Sequence, residues 1–214
     1  MGLSAISRTG AQTESHPPAA RMSRGQLPLL SWPNAITAVR TIAAIGVGAA
    51  ALAQRSALLL VVAYAIYWIG DIADGWLARV LGQETRSGAV FDLVGDRASC
   101  AILAGGLISL RPELWPAVTV FLVQFMVVDC MASLSFLHWP LLSYNYFHTV
   151  DRQVWLVNWS PLAKVTNTVA VVIAVGAGRP LLALAIAVAQ LGLKLWTAYR
   201  VWQLMTTTRV QVPT

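Results

Sequence analysis

Residues 71–96 read DIADGWLARVLGQETRSGAVFDLVGD, and this stretch decides how the rest of the chain is interpreted. Four aspartates lie in it among long apolar runs: Asp71, Asp74, Asp92 and Asp96. A carboxylate in the hydrocarbon region of a membrane costs about 3 kcal/mol by insertion scales, so an aspartate inside an apolar span indicates a functional role. We therefore interpret the four aspartates as a candidate functional site in membrane-spanning helices.

The spacing of these aspartates predicts that they meet. Asp71 and Asp74 are three residues apart and Asp92 and Asp96 are four apart, so each pair lies on one face of a helix. The connection 80–87 is short enough to make the two helices antiparallel neighbours. At about 1.5 Å per residue, the cluster lies roughly 12 Å from the helix ends that this connection joins, close to one membrane surface.

The composition agrees with a membrane protein. Of the 214 residues, 57% are hydrophobic and 11% are charged, whereas about 25% of the residues of an ordinary soluble domain are charged. The apolar residues form stretches of membrane-spanning length, which predicts an all-α integral membrane protein. The basic residues are scattered between these stretches instead of clustered, so we expect them to orient the protein in a membrane, and we expect no nucleic-acid partner.

The hydrophobic pattern predicts six transmembrane helices. They are placed at 34–53, 57–79, 88–110, 114–137, 163–178 and 180–204. A short interfacial segment at 27–33 precedes the first helix, and residues 1–25 form a polar, flexible tail, so the membrane domain is predicted to extend over 26–214. Residues 138–162 are rich in Trp and Tyr, which predicts an interfacial connection with its rings at the depth of the headgroups.

Basic side chains indicate the orientation of these helices. Given six spans, one side receives Arg8, Arg21, Arg24, Arg79, Arg86, Arg152, Lys164 and Arg209. The opposite side receives Arg55, Arg111 and Arg179. Because cytoplasmic loops carry the excess of Lys and Arg, we expect both termini and the aspartate cluster at the cytoplasmic side of the membrane.

The chemistry of four adjacent carboxylates indicates metal ions. Four like charges cannot all stay ionised at close range unless cations neutralise them. A set of oxygen ligands suits Mg²⁺ or Mn²⁺, and we expect two such ions. Two divalent ions clamp a pyrophosphate and stabilise the attacking and leaving oxygens of a displacement at phosphorus.

The neighbouring residues fit a phosphate-containing ligand. Gly75 and Ala78 leave the surface of the helix bare, and Arg79 offers a planar guanidinium to phosphate oxygens. Gly88 begins the next helix without a side chain. Small residues also allow helices to pack closely in membranes. Together with four aspartates, however, this pattern favours a ligand site.

Written as a pattern, the stretch is D-x2-D-G-x2-A-R-x8-G-x3-D-x3-D, which matches at every position the motif of the CDP-alcohol phosphatidyltransferase family. The run from Pro33 through Asn34 and Thr37 to Arg40 resembles the family's P-N-x-x-T-x-x-R opening of the first span. The specific resemblance covers about 33–110, and the remainder resembles the family in its number of spans.

This resemblance implies six transmembrane helices, usually in a homodimer, with an active site open to the cytoplasm. It implies that Asp71, Asp74 and Asp92 bind two divalent ions, and that Asp96 contributes to the metal site and acts as the general base. The implied residues for the CDP-lipid are Gly75, Ala78, Arg79, Gly88, Asn34 and Thr37. In the implied reaction an acceptor hydroxyl attacks the phosphorus that carries diacylglycerol, and CMP leaves.

The acceptor alcohol is less strongly indicated. Arg97 directly after Asp96 resembles the inositol-using branch, and residues 163–168 lack the G-K-x-K-T run of many enzymes that use glycerol phosphate. We therefore favour inositol or inositol phosphate, with glycerol 3-phosphate as the alternative. The candidate acceptor-binding residues are Arg97, Arg152 and Lys164, each of which could instead be a basic residue of the membrane surface.

Other functions are weighed against this one. An intramembrane prenyltransferase usually has two separated aspartate-rich motifs, whereas one hairpin carries all four aspartates here. A cation transporter places its carboxylates at the midplane of the membrane on broken helices. Asp129, a lone acid in the fourth predicted span, could orient an acceptor or pair with a basic residue of another helix.

Overall fold

The structure is a computed structural model that describes residues 31–166 and 178–207. All regular structure in these two ranges is helical, which confirms the all-α prediction for them. The helices are α1 (Trp32–Gln54), α2 (Ala57–Val80), α3 (Arg86–Leu110), α4 (Trp115–Leu122), α5 (Cys130–Leu134), α6 (Arg152–Asn158) and α7 (Pro180–Thr207). Residues 161–166 are also helical.

Five helical segments of the described chain are long and apolar enough to cross a membrane, which makes this a multi-pass membrane protein. They are Trp32–Gln54, Ala57–Val80, Arg86–Leu110, Pro112–His138 and Pro180–Thr207. They correspond to the first four predicted spans and the sixth. Three predicted parts lie outside the described residues: the tail 1–25, most of the segment 27–33 and most of the fifth span. The number of six spans therefore stays a prediction.

Polar caps set the first residues of the three helices that carry the site. The hydroxyl groups of Ser31, Ser56 and Thr85 each accept a hydrogen bond from a backbone N–H in the first turn of the helix that follows. Such a cap satisfies a donor that the helix itself leaves unpaired. It explains why α3 begins at Arg86, two residues before the predicted start, and why Gly88 lies inside its first turn.

Helix α1 holds the two aspartate-bearing helices together. It packs closely along both α2 and α3, whereas α2 and α3 touch each other over a shorter length. A Cβ atom added at Gly95 of α3 would lie 2.6 Å from the hydroxyl oxygen of Thr41 in α1. A glycine is therefore required at this contact, as is common where membrane helices approach closely.

The second half of the protein is built around α7. This helix packs against α4, against α6 and against a π-helical turn at Val123–Asp129. The π-helical turn lies within the fourth span, and Asp129, its last residue, is buried. Single turns of this kind inside a longer helix are rare and often accompany functional residues.

Several rings of the aromatic connection pack within the protein, and its predicted depth at the membrane surface stays a prediction. Trp139, Tyr144, Phe147 and Trp159 are all buried. The ring of Phe147 lies 5.1 Å from that of Trp139 and 4.8 Å from that of Trp159, measured between centroids. Burial of these large rings against one another stabilises the fold of the connection.

Candidate active site

The four aspartates meet at one place between α2 and α3. Asp71, Asp74 and Asp92 each have a carboxylate oxygen within 4.8 Å of such an oxygen in the other two. Asp74 and Asp96 are buried, whereas the side chains of Asp71 and Asp92 are 41% and 25% exposed. The cluster therefore opens on the side of Asp71 and Asp92, from which a ligand can reach it.

Arg40 of α1 lies among these aspartates and contacts all of them. Its Nε donates to Oδ2 of Asp74 at 2.7 Å, and its Nη2 donates to Oδ1 of Asp96 at 3.1 Å and to Oδ1 of Asp71 at 3.3 Å. The same Nη2 also donates to Asp92. With all five groups ionised, the cluster keeps a net charge of −3.

Arg40 is one site residue to which the sequence reasoning assigned no role. Its position in the P-N-x-x-T-x-x-R run was noticed, but no role was assigned to it. Two signals could have found it: a lone arginine within an apolar span needs a carboxylate partner, and Arg40 lies three residues after Thr37, on the same face of α1.

Asn34 and Thr37 reach the site as expected. The hydroxyl group of Thr37 donates to Oδ2 of Asp74 at 2.7 Å. Asn34 is buried one turn earlier on α1, and a Cβ added at Gly88 would lie 2.9 Å from its Oδ1 and 2.8 Å from the hydroxyl oxygen of Thr85. Gly88 therefore makes room for two neighbouring side chains, in addition to lining the site.

A cleft adjoins the aspartates, and the space between its walls, open solvent included, is about 550 Å³. All of the residues predicted to bind the CDP-lipid line it: Asn34, Thr37, Gly75, Ala78, Arg79 and Gly88. Asp74 and Asp92 line it as well. Arg79 is exposed at the end of α2, so its guanidinium can turn toward a bound phosphate.

The opposite wall of the cleft comes from residues 142–145, which the sequence analysis had not connected with the site. Nearby, the phenol of Tyr146 donates to Oε2 of Glu84 at 2.6 Å and so ties this segment to the α2–α3 connection. Burial, together with that hydrogen bond, raises the pKa of Tyr146 to about 12. Burial also raises the pKa of Tyr144 well above its usual value, so both phenols stay neutral at physiological pH.

The family model for CDP-alcohol phosphatidyltransferases matches residues 30–208, which is most of the chain. The chain belongs to the CDP-alcohol phosphatidyltransferase family. Neither a curated protein nor a solved structure matches it. Members transfer a substituted phosphate group from a CDP-alcohol to another alcohol. This enzyme class is thereby favoured over the prenyltransferase and the cation transporter considered above.

The three acceptor-binding candidates of this phosphatidyltransferase do not form one pocket. The side chain of Arg97 is 12% exposed and donates to Oδ2 of Asp129 at 2.6 Å, so it is directed into the protein interior. Arg152 is exposed on α6. Lys164 is exposed and donates at 2.9 Å to Oδ1 of Asn145, a residue that lines the cleft. Arg97 thus has a carboxylate partner of its own, whereas Lys164 adjoins the cleft, and the acceptor roles of the three residues stay predictions.

Asp129 pairs with basic residues, one of the two roles that the sequence left open. Besides Arg97, it accepts a hydrogen bond from Nζ of Lys194 at 2.7 Å. Asn158 donates to the same carboxylate at 3.4 Å and accepts from Lys194. The guanidinium carbon of Arg97 also lies 3.7 Å from the ring centroid of Phe125. Two buried cations thus share a single buried anion.

Proposed function

We propose that this phosphatidyltransferase uses CDP-diacylglycerol as its donor and inositol or inositol phosphate as its acceptor, with release of CMP. Glycerol 3-phosphate is the alternative acceptor. The observation that carries the proposal is the meeting of Asp71, Asp74 and Asp92 beside a cleft that is lined by Asp74, Asp92 and the six residues assigned to the donor. Clustered carboxylates that line a cleft suit a metal-assisted reaction at a pyrophosphate.

The aspartates fit divalent ions in both chemistry and charge. All of their donor atoms are carboxylate oxygens, which Mg²⁺ and Mn²⁺ prefer, and the cluster keeps its net charge of −3 with Arg40 included. We infer that Asp71, Asp74, Asp92 and Asp96 hold two such ions. When bound, the ions neutralise phosphate oxygens and make the phosphorus easier to attack.

Residues of the chain hold and orient the donor. Arg79 provides a guanidinium for the phosphate oxygens, and Gly75 and Ala78 let the cytidine diphosphate lie against the backbone of α2. Asn34 and Thr37 approach the same cleft from α1, and Gly88 approaches from α3. The diacylglycerol part remains in the surrounding lipid.

Asp96 is the proposed general base. Its Oδ1 accepts a hydrogen bond from Arg40, so we assign the transferred proton to Oδ2. As Asp96 takes the proton, the acceptor oxygen forms a bond to the phosphorus that carries diacylglycerol, and the bond from that phosphorus to the oxygen of CMP breaks. The step is a substitution at phosphorus with no change of oxidation state, so it needs no oxidant and no further co-reactant.

The orientation and the assembly are also proposals. We place both termini and the cleft on the cytoplasmic side, because Arg79 lines the cleft, Arg86 directly follows Thr85, which also lines it, and Lys164 donates to Asn145 in its wall. Cytoplasmic ends of membrane helices carry an excess of basic residues. We propose a homodimer on the basis of family membership.

The decisive experiment measures CMP release by purified protein in detergent, with CDP-diacylglycerol and Mg²⁺ or Mn²⁺. Inositol, inositol phosphate, glycerol 3-phosphate, serine and phosphatidylglycerol are added one at a time. We expect release with inositol or inositol phosphate and loss of release when EDTA removes the metal. Release with glycerol 3-phosphate alone would establish the alternative, and release that persists in EDTA would contradict the metal assignment.

Replacing Arg79 with lysine is expected to weaken donor binding. Lysine keeps the charge but loses the planar fork that matches two phosphate oxygens. Since a hydrogen bond to a charged group contributes about 1.5 kcal/mol, we expect the KM for CDP-diacylglycerol to rise roughly 10-fold while kcat changes little. Arg55→Lys, at the other end of α2, serves as the control. An unchanged KM in the Arg79→Lys variant would remove Arg79 from the donor site.

A further inference from the structure

We propose that Arg40 is a built-in counter-ion that competes with divalent ions for the aspartates, and that it leaves the metal-loaded site positively charged. This inference rests on the metal site proposed above. Arg40 has a side chain that is only 3% exposed, and it donates hydrogen bonds to all four carboxylates that we assign to the ions. The guanidinium and the ions would therefore draw on the same set of oxygens.

Helix α2 is shaped to accept this side chain. A Cβ atom added at Gly70 would lie 2.6 Å from both Cβ and Cδ of Arg40, so only glycine leaves room for the aliphatic part of the arginine. The ring of Tyr67, one turn earlier, lies with its centroid 5.8 Å from the guanidinium carbon. Neither Gly70 nor Tyr67 belongs to the aspartate motif, so residues of α2 outside that motif make room for the side chain of Arg40.

One nitrogen of the guanidinium has no contact with the aspartates. Nη1 of Arg40 is buried and has no hydrogen-bond partner among the described residues. Buried donors in folded proteins almost always have a partner, and a ligand oxygen bound beside the aspartates would supply one.

Charge explains what Arg40 contributes. Two divalent ions added to the net charge of −3 give a loaded site of +1, which attracts the anionic pyrophosphate of the donor. Without Arg40 the four carboxylates attract the ions more strongly, but the loaded site is then neutral. We therefore expect Arg40 to weaken metal binding in the absence of donor and to strengthen donor binding once the ions are present.

The test measures Mn²⁺ binding to the purified full chain by electron paramagnetic resonance, in detergent and without CDP-lipid. Arg40→Gln removes the positive charge from the cluster, so we expect it to bind Mn²⁺ at least about 10-fold more tightly than the original protein. It is also expected to unfold at a lower temperature without metal and to gain more thermal stability on Mn²⁺ addition. Arg111→Gln removes one positive charge at the other end of α3, where Arg111 pairs with exposed Glu113, and is expected to change neither quantity.

A second variant covers the case in which Arg40→Gln does not fold. Gly70→Ala keeps every charge but displaces the aliphatic part of the Arg40 side chain. We therefore expect tighter Mn²⁺ binding than in the original protein, by a smaller factor than in Arg40→Gln. Arg40→Gln or Gly70→Ala protein that is folded but binds Mn²⁺ no more tightly than the original would overturn the role of Arg40. Absence of Mn²⁺ binding by the original protein would instead overturn the proposed metal site, and this inference with it.

Discussion

Asp92→Asn is expected to reduce CMP release at least about 10²-fold, the usual minimum cost of removing one group that stabilises charge in a transition state. Asp92 lies with Asp71 and Asp74 in the three-carboxylate group and is partly exposed toward the cleft. An amide keeps the shape of the side chain but loses an anionic metal ligand. The measurements are CMP release and Mn²⁺ binding, and we expect Mn²⁺ binding to weaken in parallel.

The control for this variant is Glu113→Gln, another exchange of a carboxylate for its amide. Glu113 is exposed beside Arg111, at the end of α3 that lies away from the cleft. We expect this variant to retain the activity and the Mn²⁺ affinity of the original protein. Gel filtration and circular dichroism establish that the Asp92→Asn protein is folded. Activity near the original level in folded Asp92→Asn protein would contradict the metal assignment.

Asp129→Asn is expected to lower the free energy of unfolding by about 3–5 kcal/mol, the range found when one partner of a buried ion pair is removed. The carboxylate is the anion shared by Arg97 and Lys194, and the side chains of all three are at most 12% exposed. An asparagine would leave two buried cations without a counter-charge. The measurement is unfolding in detergent by titration with a denaturing detergent, followed by circular dichroism.

Lys194→Met provides the matched comparison within the same cluster. It removes one cation and leaves Arg97 and Asp129 as a neutral pair at 2.6 Å. The apolar methionine replaces a buried ammonium group, so we expect this variant to be destabilised by at least about 2 kcal/mol less than Asp129→Asn. Equal destabilisation of the two variants would show that Asp129 does not serve as a shared counter-charge.

The main features of the site could be predicted from local spacing. Intervals of three and four residues put Asp71 with Asp74, and Asp92 with Asp96, on single helix faces, and a short connection brings those two faces together. Long apolar stretches identify membrane helices because the hydrocarbon core requires about 20 residues to cross. Both rules depend on neighbours in the sequence, which explains why they succeeded here.

Rules based on local spacing do not predict which side chains of distant helices contact each other, as Arg97 shows. The sequence places Arg97 directly after the proposed base, Asp96, and this proximity suggested a role in acceptor binding. In the structure, the two side chains have different partners: Asp96 contacts Arg40 of α1, whereas Arg97 contacts Asp129 of the fourth span. Successive residues of a helix point about 100° apart, so adjacency along the chain does not put two side chains in one site.

The amino-acid sequence by itself determined the family, the helical membrane class and the identity of the clustered aspartates, because a motif and an apolar pattern are properties of short segments. Only the tertiary structure decided which cation lies among those aspartates and which partners Asp129 has. Arg40 reaches Asp92 across 52 residues of sequence, and Lys194 reaches Asp129 across 65. Contacts of this kind depend on how separate helices pack, and the energy of a buried charge selects the packing that pairs it.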